Sequence, residues 1–151
     1  MFVQTELSAR ANPEKAAGMQ AYMKTEMPFY GVQKPGRTEI LRHLKKEFAP
    51  EGPEEYEELA TSLWGLPYRE EKYLALGVAG AFKQFIVPDS LPLYRRFITE
   101  GAWWDLVDET ASRMIRPLVL GYPEDTWPMV EEWIDDEDMW LRRTAIIRQV
   151  G

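Results

Sequence analysis

The stretch Gly-Ala-Trp-Trp-Asp-Leu-Val-Asp at residues 101–108 places two tryptophans and two carboxylates within eight residues. Continued to residue 118, it repeats apolar residues at helical spacing, which predicts an amphipathic helix. The apolar face of this helix would hold Trp103, Val107, Ala111, Met114 and Leu118. Trp104 and Asp108 are four residues apart and would share another face. An indole beside a carboxylate on an outward face indicates a surface that meets a cation or a sugar.

Helical periodicity continues on both sides of this stretch, with proline and glycine between the segments. Neither strand alternation nor an Asn-Gly or Asp-Gly hairpin signal separates the apolar runs. The predicted helices cover approximately Pro13 to Thr25, Pro35 to Pro50, Glu54 to Leu63, Glu70 to Ile86, Leu93 to Thr99, Ala102 to Val119, Glu124 to Trp133, and Met139 to the end. We therefore predict an all-α fold of antiparallel helix pairs, stacked as an α-α superhelix (solenoid), in a single domain over residues 1–151.

Two helices carry more specific expectations. The helix from Glu70 to Ile86 is apolar nearly all round, which predicts a central buried helix. In the last helix, Trp140, Ala145 and Ile147 are expected to form the buried stripe. The acidic run 135–138 lacks the glycine and the closing glutamate of a calcium loop, so we interpret it as a solvated connection between helices.

Composition indicates a folded protein outside membranes. Of 151 residues, 45% are hydrophobic and 13% aromatic, which is enough to bury a core. The chain has no cysteine, so disulfides and thiolate metal sites are excluded, and no metal-ligand spacing is present. No signal peptide or apolar run of membrane-spanning length is found. We expect a cytoplasmic monomer that binds no metal and no membrane.

The net charge of -7 argues against nucleic-acid binding, because such proteins usually carry a basic patch. The charges are unevenly distributed, however, and one positive face could still form. The basic residues gather at Arg37, Arg42, Lys45, Lys46, Arg95, Arg96, Arg113, Arg116, Arg142, Arg143 and Arg148. The acidic charge instead favours a solenoid that binds other proteins.

Four stretches together carry a family resemblance. The first is Ala-Tyr-Met-Lys at 21–24 with Pro-Phe-Tyr-Gly-Val at 28–32, and the second is Trp64 with Tyr-Arg-Glu at 68–70. The others are the tryptophan-aspartate motif at 103–108 and Trp-Leu-Arg-Arg-Thr-Ala-Ile-Ile at 140–147. In order and separation they resemble the AlkD-like family of DNA alkylation repair enzymes, which are DNA glycosylases built from HEAT-like helical repeats. The last two stretches in combination are the specific part.

The resemblance implies a set of functional residues and a substrate. Trp104, Asp108 and Arg143 correspond to the catalytic-cleft tryptophan, aspartate and arginine, and Tyr22 to a tyrosine that lines the same cleft. The implied partner is double-stranded DNA containing alkylated bases, and the implied reaction hydrolyses the N-glycosidic bond of cationic purines of the 7-methylguanine and 3-methyladenine type. Because the family continues with further helices, we expect residues 1–151 to be a C-terminally incomplete HEAT-like repeat domain.

The implied chemistry needs no cofactor. A cationic purine is already a good leaving group, so no general acid is required and the lone His43 has no assigned role. One ionised carboxylate, Asp108, would stabilise an oxocarbenium-like sugar and place a water molecule. Trp104 and Tyr22 would pack against the DNA backbone and the lesion, and Arg143 would hold a phosphate. The alternative is a non-catalytic HEAT-like module that binds DNA or protein.

Overall fold

The computed structural model describes residues 1–147, and all regular structure within them is helical. The predicted all-α class is therefore confirmed. The α-helices are α1 Phe2–Ala9, α2 Pro13–Met23, α3 Lys34–Glu47, α4 Pro53–Trp64, α5 Arg69–Ala81, α6 Leu91–Gly101, α7 Trp104–Thr110, α8 Arg116–Gly121, α9 Pro123–Glu132 and α10 Met139–Ile147. Short 3-10 helices lie at Lys83–Phe85, Pro88–Ser90 and Trp133–Asp135. Within residues 1–147, no helix combines the length and apolarity needed to cross a membrane.

The chain divides into two compact units, Met1–Val78 and Ala79–Gly151, with the division inside α5. The expected single domain over residues 1–151 and its HEAT-like character stay predictions. Helix α5 has no fully exposed residue, as expected for a buried helix. It ends at Ala81, however, so the predicted extension to Ile86 is wrong. Val87 is extended because a residue before proline avoids the helical conformation. The 3-10 turn Lys83–Phe85 lies between the end of α5 and Val87.

Helix α1 is absent from the sequence-based prediction. It buries only Val3 and Leu7, and two apolar residues give a weak periodic signal. An isolated helix of eight residues is marginal in water, so its stability comes from packing against α3. The Phe2 ring contributes to that packing through contacts with His43 and Phe48.

A buried carboxylate organises the first unit. Glu70 is fully buried, and its oxygens accept hydrogen bonds from the backbone N–H groups of Tyr30, Gly31 and Val32 at 3.0, 2.8 and 2.9 Å. Gly31 has φ +91°, and a Cβ there would lie 2.0 Å from the Asn12 carbonyl oxygen, so only glycine fits. The first two stretches of the resemblance thus contact each other, and their residue types serve the packing of α5 against this loop.

The same loop places a tyrosine in a low-dielectric setting. The Tyr30 ring stacks on Tyr68 with centroids 4.0 Å apart, and its hydroxyl donates to Glu71 Oε2 at 3.1 Å. Burial, followed by the charge of Glu71, raises the pKa of Tyr30 to about 12. Burial also raises the pKa of Glu71 above its ordinary value.

In the second unit, helix α7 starts later than predicted. Ala102 takes a left-handed conformation (φ 43°) that ends α6, and Trp103 is extended (φ −155°) as the N-cap of α7. Trp103 therefore precedes the helix and is half-buried, so its predicted place on the helical apolar face is wrong. The remaining members of that face are fully buried, as predicted: Val107, Ala111, Met114 and Leu118.

Between α7 and α8, residues Ala111–Ile115 form a π-helical turn in an otherwise continuous helix. The turn directly precedes Pro117, which has no N–H for the carbonyl four residues earlier and clashes with it. A widened turn accommodates that mismatch. The helix continues to Gly121, two residues past the predicted end at Val119.

Helix α10 buries Ala145 as expected, but the rest of its buried stripe differs from the one expected. Its buried residues are Leu141, Thr144 and Ala145, whereas Trp140 and Ile147 are half-buried. Trp140 is displaced from the stripe because its ring packs against Trp103, with centroids 6.2 Å apart. The predicted continuation of this helix to the end of the chain lies outside the described residues.

Candidate functional site

An ion pair joins the third and fourth stretches of the sequence pattern. Arg143 Nε donates to Asp108 Oδ1 at 2.8 Å, and Arg143 Nη2 donates to Asp108 Oδ2 at 2.7 Å. This is the bidentate fork that guanidinium and carboxylate groups favour. The hydrogen bonds to Asp108 raise the pKa of Arg143 above its ordinary value. The two residues are 35 positions apart in sequence and lie on α7 and α10.

The pair is accessible to solvent. The Asp108 side chain is 34% exposed and the Arg143 side chain 44%. Exposed ion pairs contribute at most about 1 kcal/mol to stability, so fold stability alone gives little reason for this arrangement. Its geometry leaves part of the carboxylate and part of the guanidinium open to a ligand.

Helix capping and ring packing hold α10 in register with α7. The Asp138 carboxylate accepts the backbone N–H groups of Trp140 and Leu141 at 2.8 and 3.1 Å, which caps the N-terminus of α10. Trp140, three residues before Arg143, packs against Trp103, which itself caps α7. The two tryptophans therefore fix the two helix starts from which Asp108 and Arg143 project.

The acidic run 135–138 lies between α9 and α10, as predicted for a connection between helices. Asp138 is a helix cap, and its own N–H is bound by Asp136 Oδ1 at 2.9 Å. Over the described part of the chain, no three histidine or carboxylate side chains are grouped so that they could hold a metal ion.

Trp104 occupies the first helical position of α7 with 43% of its surface exposed. Asp108 follows one turn later on the same helix. The prediction that the indole faces away from the core is confirmed. An exposed tryptophan one turn from an ion pair offers an apolar surface beside charge.

Tyr22 belongs to the first unit, whereas Trp104, Asp108 and Arg143 belong to the second. It lies on α2 with 75% of its surface exposed, beside a groove of about 400 Å³. The groove is lined by Lys15, Gly18, Met19, Tyr22, Met23, Phe29, Gln33, Arg37 and Tyr73. The expectation that Tyr22 shares one cleft with the other three residues stays a prediction.

Arg37 lies in this groove, and the sequence indicated no role for it beyond its place among the basic residues. The Arg37 guanidinium lies 4.7 Å from the centre of the Tyr73 ring and donates to the Val32 carbonyl oxygen at 3.0 Å. Burial lowers the pKa of Arg37 below its ordinary value. The signal available in the sequence was an arginine on the helix that follows the Gly31 turn.

Comparisons with known proteins identify a family for this chain. The family model for DNA alkylation repair enzymes matches residues 3–151. A solved structure described as a predicted DNA alkylation repair enzyme from Enterococcus faecalis is similar, with 27% identity and a TM-score of 0.81. The match covers 92% of this chain and 65% of that one, so this chain spans about two thirds of the length of its structural neighbour. No protein with a curated function matches the sequence significantly.

Proposed function

Because this chain belongs to the DNA alkylation repair enzyme family, we propose that it takes part in excising cationic alkylated purines from duplex DNA as a DNA glycosylase. The observation that carries the proposal is the bidentate contact of Asp108 with Arg143, one turn from the exposed Trp104. The reaction is hydrolysis of the N-glycosidic bond, with 7-methylguanine and 3-methyladenine as the substrate class.

Asp108 would stabilise the positive charge that develops on the sugar as the base leaves. A carboxylate offers about four lone-pair positions, and Arg143 takes two of them. The remaining positions can hold the attacking water and lie against an oxocarbenium-like sugar. Because the leaving purine is already cationic, it departs as a neutral base and needs no acid to protonate it.

Arg143 would perform two tasks with different N–H groups. A guanidinium has five N–H donors, and the contact with Asp108 uses two. The other three remain for a phosphate beside the lesion, so the residue need not release the carboxylate when DNA binds. Trp104 would pack its exposed ring against the sugar-phosphate backbone or the cationic base, with Tyr22 as the proposed second aromatic contact.

The direct test is release of free bases from methylated duplex DNA. The protein is incubated with duplex carrying 7-methylguanine and 3-methyladenine, and released purines are quantified by mass spectrometry. We expect release above the spontaneous rate, with unmethylated duplex and heat-denatured protein as controls. A release rate equal to spontaneous depurination would refute the glycosylase assignment.

A non-catalytic module is the second candidate. It is favoured by one specific observation: each carboxylate oxygen of Asp108 already accepts a hydrogen bond from Arg143 within the protein, so the pair exists without a reacting ligand. Such a module would bind methylated duplex without releasing any base. The same assay, combined with a binding measurement on the same DNA, separates the two candidates.

A further inference from the structure

Helix α3 is the most basic helix of the described chain. Its 14 residues carry five cations and two carboxylates, in a protein whose net charge is -7. Four of the cations are exposed: Lys34, Arg42, Lys45 and Lys46. At about 100° per residue they fall within roughly one third of the helix circumference. We call these four residues the α3 stripe.

The α3 stripe is not neutralised by the protein itself. Within residues 1–147, none of its four side chains makes an ion pair or a hydrogen bond. The nearest carboxylate on the helix, Glu39, is instead held by Arg10 at 3.6 Å. Arg42 and Lys46 share a groove with Glu6, Glu39 and Glu47 but make no ion pair with them, whereas Lys34 and Lys45 lie outside this groove. The cations therefore keep their N–H donors for a partner.

Helix stability does not account for the whole stripe. Lys45 and Lys46 lie in the last turn, where cations favourably offset the helix dipole. Lys34, however, occupies the first helical position, where the dipole disfavours a cation, and Arg42 is in the middle. Helix formation therefore explains the cations in the last turn but not Lys34 or Arg42.

The stripe is presented on a fixed support. Ile40 and Leu44 are buried on the other side of α3, and α1 packs against the helix. Leu41 packs closely against α5, where a Cβ on Gly77 would lie 2.9 Å from its side chain. The stripe from Lys34 to Lys46 is about 18 Å long at 1.5 Å per residue.

We infer that the α3 stripe binds the phosphate backbone of duplex DNA as a sequence-independent contact in the first unit. Its length of about 18 Å corresponds to about five nucleotide steps of one strand, at 3.4 Å each along the duplex axis. Lysine and arginine without internal partners release counterions from phosphates when they bind. This inference rests on DNA as the partner in the proposed function, and it assigns the surface that gives the acidic chain its affinity for undamaged duplex.

The test measures binding of the whole protein to a labelled, undamaged duplex as a function of salt. In the triple variant Arg42→Gln/Lys45→Gln/Lys46→Gln, we expect affinity near 100 mM salt to fall about tenfold or more. The slope of log K against log salt should become shallower by about 1 to 3, at about 0.9 per lost phosphate contact. A matched control, Lys83→Gln/Arg95→Gln/Arg96→Gln, removes the same charge from exposed positions of the second unit and should change the slope little.

Each further outcome decides the inference. Equal losses in both triple variants would show an effect of net charge alone and would overturn it, as would an unchanged slope in the α3 variant. The inference would also be overturned if the parental protein bound no duplex, or if it bound an acidic oligo-glutamate peptide in place of the duplex. If the triple variant melts early, Arg42→Gln alone should lower the slope by about 0.9 while Arg42→Lys keeps it.

Base release is scored separately in the parental protein. Failure to excise methylated purines while α3-dependent binding persists counts against the glycosylase proposal only. Excision with a salt slope unaffected by the α3 changes counts against the stripe only.

Discussion

Replacing Asp108 by asparagine removes one negative charge and almost no volume. At about 4 Å from a developing positive charge, a carboxylate contributes about 4 kcal/mol with an effective dielectric of about 20. Because the side chain is 34% exposed and already faces Arg143, screening lowers that figure, and about 2 kcal/mol is a reasonable lower bound. At 1.36 kcal/mol per tenfold change, Asp108→Asn should slow base release by about 30- to 1,000-fold.

The assay is single-turnover release of 7-methylguanine from duplex DNA with the protein in excess. The matched control is Asp105→Asn, which removes the same charge from the first turn of the same helix. We expect the control to keep the parental release rate, and both variants to melt within a few degrees of the parent, because an exposed pair contributes at most about 1 kcal/mol. Release by Asp108→Asn at the parental rate, or an equal loss in both variants, would refute the electrostatic role of Asp108.

Four further outcomes follow from the described contacts. Arg143→Ala should slow base release and make the salt dependence of DNA binding shallower by about 0.9; an unchanged slope would remove Arg143 from the phosphate contacts. Glu70→Gln should lower the free energy of unfolding by about 2–3 kcal/mol in urea titrations, because three buried N–H groups lose a charged acceptor. Gly31→Ala should lower the free energy of unfolding by more than about 3 kcal/mol. Gly18→Ala should raise it by about 0.5–1 kcal/mol, because the added Cβ on α2 meets open space. Similar effects at both sites would contradict the backbone argument. In the folded protein the pKa of Tyr30 is raised from 10.0 to about 12, so the stability that its protonated form contributes is present below about pH 10 and is lost as the pH approaches 12. In urea titrations across this pH range, Tyr30→Phe should remove that loss of stability.

The sequence allowed the helices and the exposed half of the site to be predicted, because both depend on local periodicity. Trp104 and Asp108 are one turn apart on α7, and four apolar residues of the continuous helix from α7 to α8 are buried as expected. The start of the helix was misplaced because the left-handed Ala102 is not a glycine, and glycine is the usual signal for that conformation. Non-glycine residues with positive φ leave no reliable mark in a single sequence.

Long-range polar contacts were beyond reach of the same reasoning. Asp108 and Arg143 are 35 residues apart, and only the family resemblance placed them together. Glu70 in sequence has the appearance of a surface carboxylate at the start of a helix. Its burial depends on three N–H groups of a loop about 40 residues earlier, and no periodic pattern encodes that encounter.

In an acidic protein, cations without a carboxylate partner are the main source of electrostatic affinity for DNA. Arg143 spends two of its N–H groups on Asp108, so the site for chemistry adds little unpaired positive charge. The α3 stripe has the opposite character, with four exposed cations and no ion pair in the described chain. Affinity and chemistry would then depend on different charges, so α3 substitutions should weaken DNA binding without lowering the release rate at saturating protein. Substitution of Asp108 should do the reverse, whereas Arg143 contributes to both. Loss of DNA binding in Asp108→Asn would contradict this separation.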